Sequence, residues 1–277
     1  MFKHQRKIQR DRLRELSHYL RYRLFYEHLP ESVYFYTFHK CASSLFGRYV
    51  LKNVNGLKQV NYAGRIYGGR WKPNKGLIFR DKGFIYGPIR LSADPEDRVG
   101  QLLVKPTTDA SFVSDKVGVF LVRDPRDIMI SAYYSLGFTH GYSRVEETRQ
   151  RQVVKRKLIQ QMTLDEYILS EADRQAVLFR KLYDLSAACK CSMILKYEDM
   201  IDNFDVFAAQ LCQFIPLNEA VVQNIYQYTR PREVENTASR RRSGRVQDYK
   251  YKLEPSTIKA VSEKLADILT LFDYQIE

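Results

Sequence analysis

The feature that most constrains the fold is an apolar segment that runs directly into a loop of small residues. Residues 33–38 carry aromatic and β-branched side chains, which predict a buried β-strand. Lys40 and the small residues 41–44 follow, and a helix is predicted to begin at Ser43. The amides of such a loop and the positive end of the helix dipole favour a phosphate. Lys40 adds a cation, and the Ser43 and Ser44 hydroxyls add donors, so this stretch predicts an anion site.

The loop differs from the Walker A loop of nucleotide hydrolases and kinase-like phosphotransferases. That loop has the pattern Gly-x4-Gly-Lys-Ser/Thr, with its Lys at the end. Here Lys40 stands first and no Gly precedes it. An ordinary strand-to-helix turn with Ser43 near its cap is the simpler alternative, and this stretch alone leaves it open.

A second strand followed by a charged helix start lies later in the chain. Residues 116–122 are an apolar run of the kind found in central parallel strands. Arg123 follows at once, with Asp124 as a predicted N-cap and Pro125 in the first helical turn. Arg123 and Ser131 could then face one anion. The alternative is a capped helix with a surface ion pair.

Together these segments resemble the donor site of the sulfotransferases. The 5′-phosphosulfate loop of that family also begins with Lys, and its 3′-phosphate site pairs an Arg with a Ser spaced as Arg123 and Ser131 are here. Tyr197, at the end of a late strand, matches the family Tyr beside adenine. Residues 242–250 resemble the segment that closes over the 3′-phosphate. The resemblance covers about residues 33–274.

The resemblance implies a P-loop-like sulfotransferase fold of the α/β class. This is a three-layer α/β/α arrangement around a central, mostly parallel sheet, expected over residues 30–277. Residues 1–29 are predicted to form a basic amphipathic helical segment that packs on the domain, or alternatively touches an anionic membrane or the acceptor. Thr163 and Glu166 fit a capping box that opens a helix to about Cys189.

The implied donor is PAPS, 3′-phosphoadenosine-5′-phosphosulfate, which gives up its sulfuryl group and leaves as adenosine 3′,5′-bisphosphate (PAP). No metal is expected. The residues that the resemblance assigns to donor binding are Lys40, Cys41, Ala42, Ser43, Ser44, Leu45, Arg123, Ser131, Tyr197, Arg242, Ser243 and Gly244.

Two of these donor-binding residues depart from the family pattern. Ala42 replaces the usual Gly, which costs little provided that its φ is negative. Leu45 replaces the large aromatic residue that often stacks on adenine, so Tyr197 or an aromatic side chain from 61–71 is expected to supply that contact.

The residues expected to act in catalysis are only partly those of the family. Lys40 is expected to meet the charge that grows on the leaving oxygen, and Lys105 to contact the sulfuryl oxygens. Thr107 stands where cytosolic members carry the His that acts as general base. Asp109 and His140 are the candidate bases. An acceptor that needs little activation, or that carries its own base, is the alternative.

The charge of the chain agrees with an anionic ligand. There are 45 basic and 32 acidic residues, a net charge of +13. This excess of positive charge would also suit a protein that binds nucleic acid or another anionic surface. Because Thr107 replaces the His of the family, a catalytically weak protein that only binds PAPS is a further alternative. The leading expectation is a sulfotransferase acting on a small-molecule or glycan hydroxyl, or an amine, with no nucleic-acid partner.

Neither the cysteines nor the histidines have the spacing of a metal site. No apolar run is long enough to cross a membrane, and no signal-peptide core is present, so a cytoplasmic protein is expected.

Overall fold

A computed structural model describes Ser17, Leu20 and residues 22–67, 77–91, 107–143, 146–230 and 244–277. Within this part of the chain, five strands form one sheet in the order β2-β3-β1-β4-β5, and every neighbouring pair is parallel. The strands are β1 Val33–Thr37, β2 Lys58–Val60, β3 Phe84–Arg90, β4 Val117–Val122 and β5 Cys191–Lys196. The predicted α/β class with a mostly parallel sheet is confirmed.

Helices cover both faces of the sheet. The α-helices of the described residues are α1 Ser43–Arg48, α2 Tyr62–Tyr67, α3 Ala110–Val113, α4 Pro125–Tyr134, α5 Glu146–Gln160, α6 Leu164–Ala188, α7 Tyr197–Asp202, α8 Phe204–Phe214, α9 Glu219–Thr229, α10 Tyr249–Lys252, α11 Pro255–Lys264 and α12 Ala266–Leu271. A π-helical turn, Ser135–Thr139, continues α4, and 3₁₀ turns lie at Tyr26–His28 and Val50–Lys52.

Strand β1 is buried on both faces because alternate side chains meet different layers. Phe35 stacks on Phe46 of α1, with the ring centroids 4.6 Å apart. Phe38, just past the strand and on the opposite face from Phe35, stacks on Phe179 of α6 at 4.4 Å. The aromatic run therefore joins both helical layers to the centre of the sheet.

The parallel arrangement gathers the ends of the strands at one edge. His39 and Lys40 follow β1, Arg123 follows β4, Tyr197 follows β5, and Arg90 is the last residue of β3. Because all strands run the same way, these residues leave the sheet at the same edge, where open parallel sheets bind ligands.

Local capping agrees with the sequence at two helix starts. The Asp124 carboxylate accepts the Arg126 amide at 2.9 Å with Pro125 in the first turn of α4. The capping box of Thr163 and Glu166 is present at the start of α6.

Most of the predicted N-terminal segment, 1–29, lies outside the described residues. Within its described part, residues 22–24 are helical. None of the described helices combines the length and the apolar character needed to span a membrane.

Candidate active site

The loop between β1 and α1 contains two residues with left-handed backbone conformation. Lys40 has φ +69° and Ala42 has φ +45°. The Leu45 amide donates to the Ala42 carbonyl oxygen at 2.9 Å, which closes the first turn of the helix. Left-handed residues in such turns form concavities of backbone N–H groups that suit anions.

Ala42 was expected to replace glycine at little cost provided that its φ is negative. Its φ is positive, so that condition is not met. In this left-handed conformation the Ala42 Cβ atom lies too close to the following carbonyl oxygen, which costs ~1–2 kcal/mol relative to the right-handed conformation. Its φ is set by the tight loop that joins β1 to α1, which the residue types alone do not specify.

Cys41 anchors the loop to the sheet. Its side chain is buried, and Sγ donates to the Leu121 carbonyl oxygen of β4 at 3.3 Å. The Thr37 hydroxyl also donates to this carbonyl, at 3.0 Å. Burial raises the pKa of the Cys41 thiol to about 12, so the thiol stays protonated and fixes the loop rather than acting as a nucleophile.

The hydroxyls and the apolar residue of the loop have different surroundings. The buried Ser43 hydroxyl accepts the Arg90 Nε–H at 3.2 Å, whereas the Ser44 side chain is exposed. The Leu45 side chain lies in the hydrophobic core, so any contact of this residue with a ligand would come from its backbone. Arg90 was not among the predicted residues, because the sequence does not show that its strand pairs with β1.

Arg123 joins three of the predicted segments. Its Nη1 donates to the Lys40 carbonyl oxygen at 3.4 Å, and its Nη2 donates to the Arg245 carbonyl oxygen at 2.9 Å. The guanidinium carbon lies 4.5 Å from the Tyr197 ring centroid. Nη2 also pairs with the buried Asp127 at 3.2 Å. In the described structure, Arg123 Nε is buried and has no hydrogen-bond partner.

Tyr197 connects β5 to the late segment. It begins α7, is buried, and its hydroxyl donates to the Gly244 carbonyl oxygen at 3.3 Å. Gly244 has φ +75°, a left-handed conformation that glycine adopts without a Cβ clash. Arg242 and Ser243 lie outside the described residues, so of their segment Gly244 is the part that the structure brings to Tyr197.

Two acids lie beside Arg123, the buried Asp127 and the half-buried Glu198. Burial raises the pKa of Asp127 to about 6 although the Arg123 cation opposes the shift. Burial also raises the pKa of Glu198 to about 7; this carboxylate accepts the Asp124 amide at 2.9 Å and the Tyr274 hydroxyl at 3.1 Å. Arg123 remains charged, because neighbouring Asp127 raises its pKa against the effect of burial. Protonation of either acid makes the region more favourable for an anion.

A sulfotransferase domain family model matches residues 103–270. The chain belongs to this sulfotransferase family. The match includes Arg123, Tyr197 and Gly244, whereas the loop at Lys40 precedes it. The family model therefore confirms the family that the sequence motifs resemble.

Two solved structures are distantly similar to this chain. Mouse sulfotransferase SULT7A1, complexed with PAP, is 10% identical with a TM-score of 0.48; the alignment covers 86% of this chain and 84% of that one. Retinol dehydratase, in complex with retinol and PAP, is 14% identical with a TM-score of 0.40, over 90% and 83% of the two chains. No curated protein gives a significant sequence match.

Thr107, which replaces the base of the family, and the two candidate bases have unequal surroundings. Thr107 is buried and its carbonyl oxygen accepts the Tyr36 hydroxyl at 2.8 Å. The exposed Asp109 caps α3, and its carboxylate accepts the Ser111 hydroxyl at 2.6 Å and amide at 2.8 Å. These hydrogen bonds lower its pKa, which weakens it as a proton acceptor. His140 follows the π-helical turn and is half-buried.

One further predicted residue, Ser131, makes none of the contacts described above at Arg123. Ser131 lies half-buried in the second turn of α4. Lys105 lies outside the described residues. Among the described residues, no group of three or more His, Cys, Asp or Glu side chains could hold a metal ion.

Proposed function

We propose that this protein transfers the sulfuryl group of PAPS to a hydroxyl or amine acceptor and releases PAP. The observation that carries the proposal is the position of Arg123, which contacts the loop at Lys40, the ring of Tyr197 and the backbone at Arg245. These are the segments that the sulfotransferase resemblance assigns to the 5′-phosphate, the adenine and the 3′-phosphate.

The residues present fit a donor with two phosphates. The left-handed residues Lys40 and Ala42 suit the 5′-phosphate. The buried Arg123 Nε lacks a partner in the described structure and offers a donor for the 3′-phosphate. A buried donor left without a partner is costly, so an anion at this place would supply a missing contact.

In the proposed reaction the chain aligns the reactants and stabilises charge. The acceptor oxygen or nitrogen bonds to sulfur while the bond from sulfur to the 5′-phosphate oxygen breaks. The departing electron pair stays on that phosphate oxygen, where Lys40 and the loop amides would stabilise it. Arg90, held at Ser43 by its hydrogen bond, adds a second cation on the same side of the loop. We expect the acceptor to be a small molecule or a glycan that carries a hydroxyl.

Calorimetric titration tests the donor site. The wild-type protein should bind PAP roughly 10- to 100-fold more tightly than AMP, the range expected for a charge-assisted contact to the extra phosphate. Lys40→Ala and Arg123→Gln should weaken PAP binding by a similar factor. The exposed residues Lys52 and Arg180 provide matched controls, since Lys52→Ala and Arg180→Gln should leave it unchanged.

The alternatives predict different results. Equal binding of PAP, AMP and DNA, falling steeply with salt, would refute the proposal and favour an anionic-surface protein that acts through its +13 charge. Tight PAP binding without transfer to any acceptor would indicate a catalytically weak PAPS-binding protein. Thermal unfolding of each variant shows whether the fold is intact.

A further inference from the structure

Residues 274–277 form a tail that contacts α10, in the segment that the resemblance assigns to the 3′-phosphate. The Tyr249 hydroxyl donates to Glu277 Oε1 at 3.1 Å, and Lys250 Nζ pairs with the same oxygen at 2.7 Å. The Lys250 ammonium lowers the pKa of Glu277, so this carboxylate is ionised at neutral pH and is a strong hydrogen-bond acceptor. Two consecutive residues of α10 are therefore held by one side chain of the tail.

A second contact fixes the tail to the start of α4. The buried Arg126 donates through Nη2 to the Gln275 carbonyl oxygen at 2.9 Å. Its guanidinium carbon also lies 4.0 Å from the centroid of the Tyr249 ring, and the same guanidinium is held by Asp124 at 2.7 Å. Tyr249 is thus fixed at two places, by its ring at Arg126 and by its hydroxyl at Glu277.

Tyr249 is connected to Arg123 through a shared carboxylate. The Tyr249 amide donates to Asp127 Oδ1 at 3.1 Å, and Asp127 Oδ2 pairs with Arg123 Nη2 at 3.2 Å. The Asp127 side chain is fully buried, so both of its oxygens depend on donors from the protein. A shift of Tyr249 would leave Oδ1 without its donor and allow the carboxylate to turn, and Arg123 would lose its fixed orientation.

We propose that the tail positions Arg123 for the 3′-phosphate of the donor, acting through Tyr249 and Asp127. Glu277 and Tyr249 are then positioning residues, which hold the 3′-phosphate segment in the place where Arg123 can meet the phosphate. The inference rests on the proposed PAPS-dependent function. Because coupling between two sites is reciprocal, a ligand with a 3′-phosphate should stabilise the tail contacts by the same factor by which these contacts strengthen its binding.

Calorimetric binding of PAP and of AMP distinguishes positioning from general destabilisation. Glu277→Ala and Tyr249→Phe should each weaken PAP binding about 10-fold, near the low end of the range for a hydrogen bond to a charged group. Both variants should leave AMP binding unchanged, because AMP has no 3′-phosphate. The exposed residues Glu263 and Tyr251 provide matched controls, since Glu263→Ala and Tyr251→Phe should leave the affinities for both nucleotides unchanged.

Two further variants test the route of the effect. Glu277→Gln keeps an oxygen for the Tyr249 hydroxyl and loses only the half-buried ion pair with Lys250, so its PAP affinity should stay within about threefold of wild type. The double variant Tyr249→Phe with Glu277→Ala should lose no more PAP affinity than either single variant, because both changes remove the same hydrogen bond. Additive losses would contradict a route through this hydrogen bond.

Hydrogen exchange followed by mass spectrometry tests the coupling in the wild type itself. PAP should slow exchange at residues 245–252 and 274–277 more than AMP does at equal occupancy, because only PAP is expected to favour the closed tail. In Glu277→Ala this extra slowing by PAP should be weaker. The wild-type measurement decides the question even where a variant does not fold, which thermal unfolding shows.

Different results refute the two proposals. A wild type that binds PAP no better than AMP refutes the proposed function, and the role of the tail with it. Selective PAP binding that persists in Glu277→Ala and Tyr249→Phe refutes the role of the tail alone. An equal loss of PAP and AMP binding, or equal slowing of exchange by the two nucleotides, shows that the tail only supports the fold and also overturns the inference.

Discussion

The left-handed Ala42 makes a specific prediction about stability. At φ +45° its Cβ atom carries a strain of ~1–2 kcal/mol that glycine does not have. Ala42→Gly removes this strain, but it also gives the unfolded chain more freedom, which costs ~0.4–1 kcal/mol. The variant also loses the packing of one half-buried methyl group. The free energy of unfolding should therefore stay level or rise by up to ~1 kcal/mol.

A matched control isolates the strain. Ala187 is exposed near the end of α6 in a right-handed helical conformation, so Ala187→Gly should lower the free energy of unfolding by ~0.5–1 kcal/mol. Urea unfolding of both variants at pH 7, followed by circular dichroism, should give a difference between them of ~0.5–2 kcal/mol in favour of Ala42→Gly. If Ala42→Gly destabilises the protein as much as Ala187→Gly does, the loop conformation described here is refuted.

Three other predictions concern Glu198, Arg126 and the cysteines. The native state holds the Glu198 proton up to about pH 7 whereas the unfolded state releases it near 4.5, so stability should fall by up to ~3 kcal/mol as pH rises across this range; urea unfolding of Glu198→Gln should lack that contribution, and an unchanged slope would contradict it. Arg126→Met should destabilise the protein by ~3–5 kcal/mol in the same assay, since it leaves the buried Asp124 without its 2.7 Å ion pair; a loss below 1 kcal/mol would contradict this. In the native protein, iodoacetamide should alkylate the exposed Cys191 and spare the buried Cys41, which peptide mass spectrometry can check; early labelling of Cys41 would show that the loop opens.

Local sequence rules predicted the elements that carry the site. The aromatic run 33–38 became β1, Val33–Thr37, and the apolar run 116–122 became β4, Val117–Val122. The Asp124 cap with Pro125 in the first turn is also present as expected. These features depend on side-chain periodicity and on short-range hydrogen bonds, and both can be predicted from neighbouring residues in the sequence.

The parts that the sequence could not provide depend on contacts between distant segments. The φ of Ala42 follows from the tight loop between β1 and α1, and the raised pKa of Glu198 follows from its burial beside Asp124 and Tyr274. Arg90 reaches Ser43 because β3 pairs with β1. Strand order is not encoded in local periodicity, so this cation could be recognised only once the sheet was known.

The contacts of Arg123 have a consequence for motion in the protein. One side chain holds backbone carbonyls that lie 83 positions earlier and 122 positions later in the chain. A ligand that binds only when both contacts are intact lowers the population of every partly opened form in which either is broken. Departure of such a ligand and local opening of the two segments would then be a single coupled event, so slow hydrogen exchange at the loop after β1 and at residues 244–245 would report the lifetime of the complex.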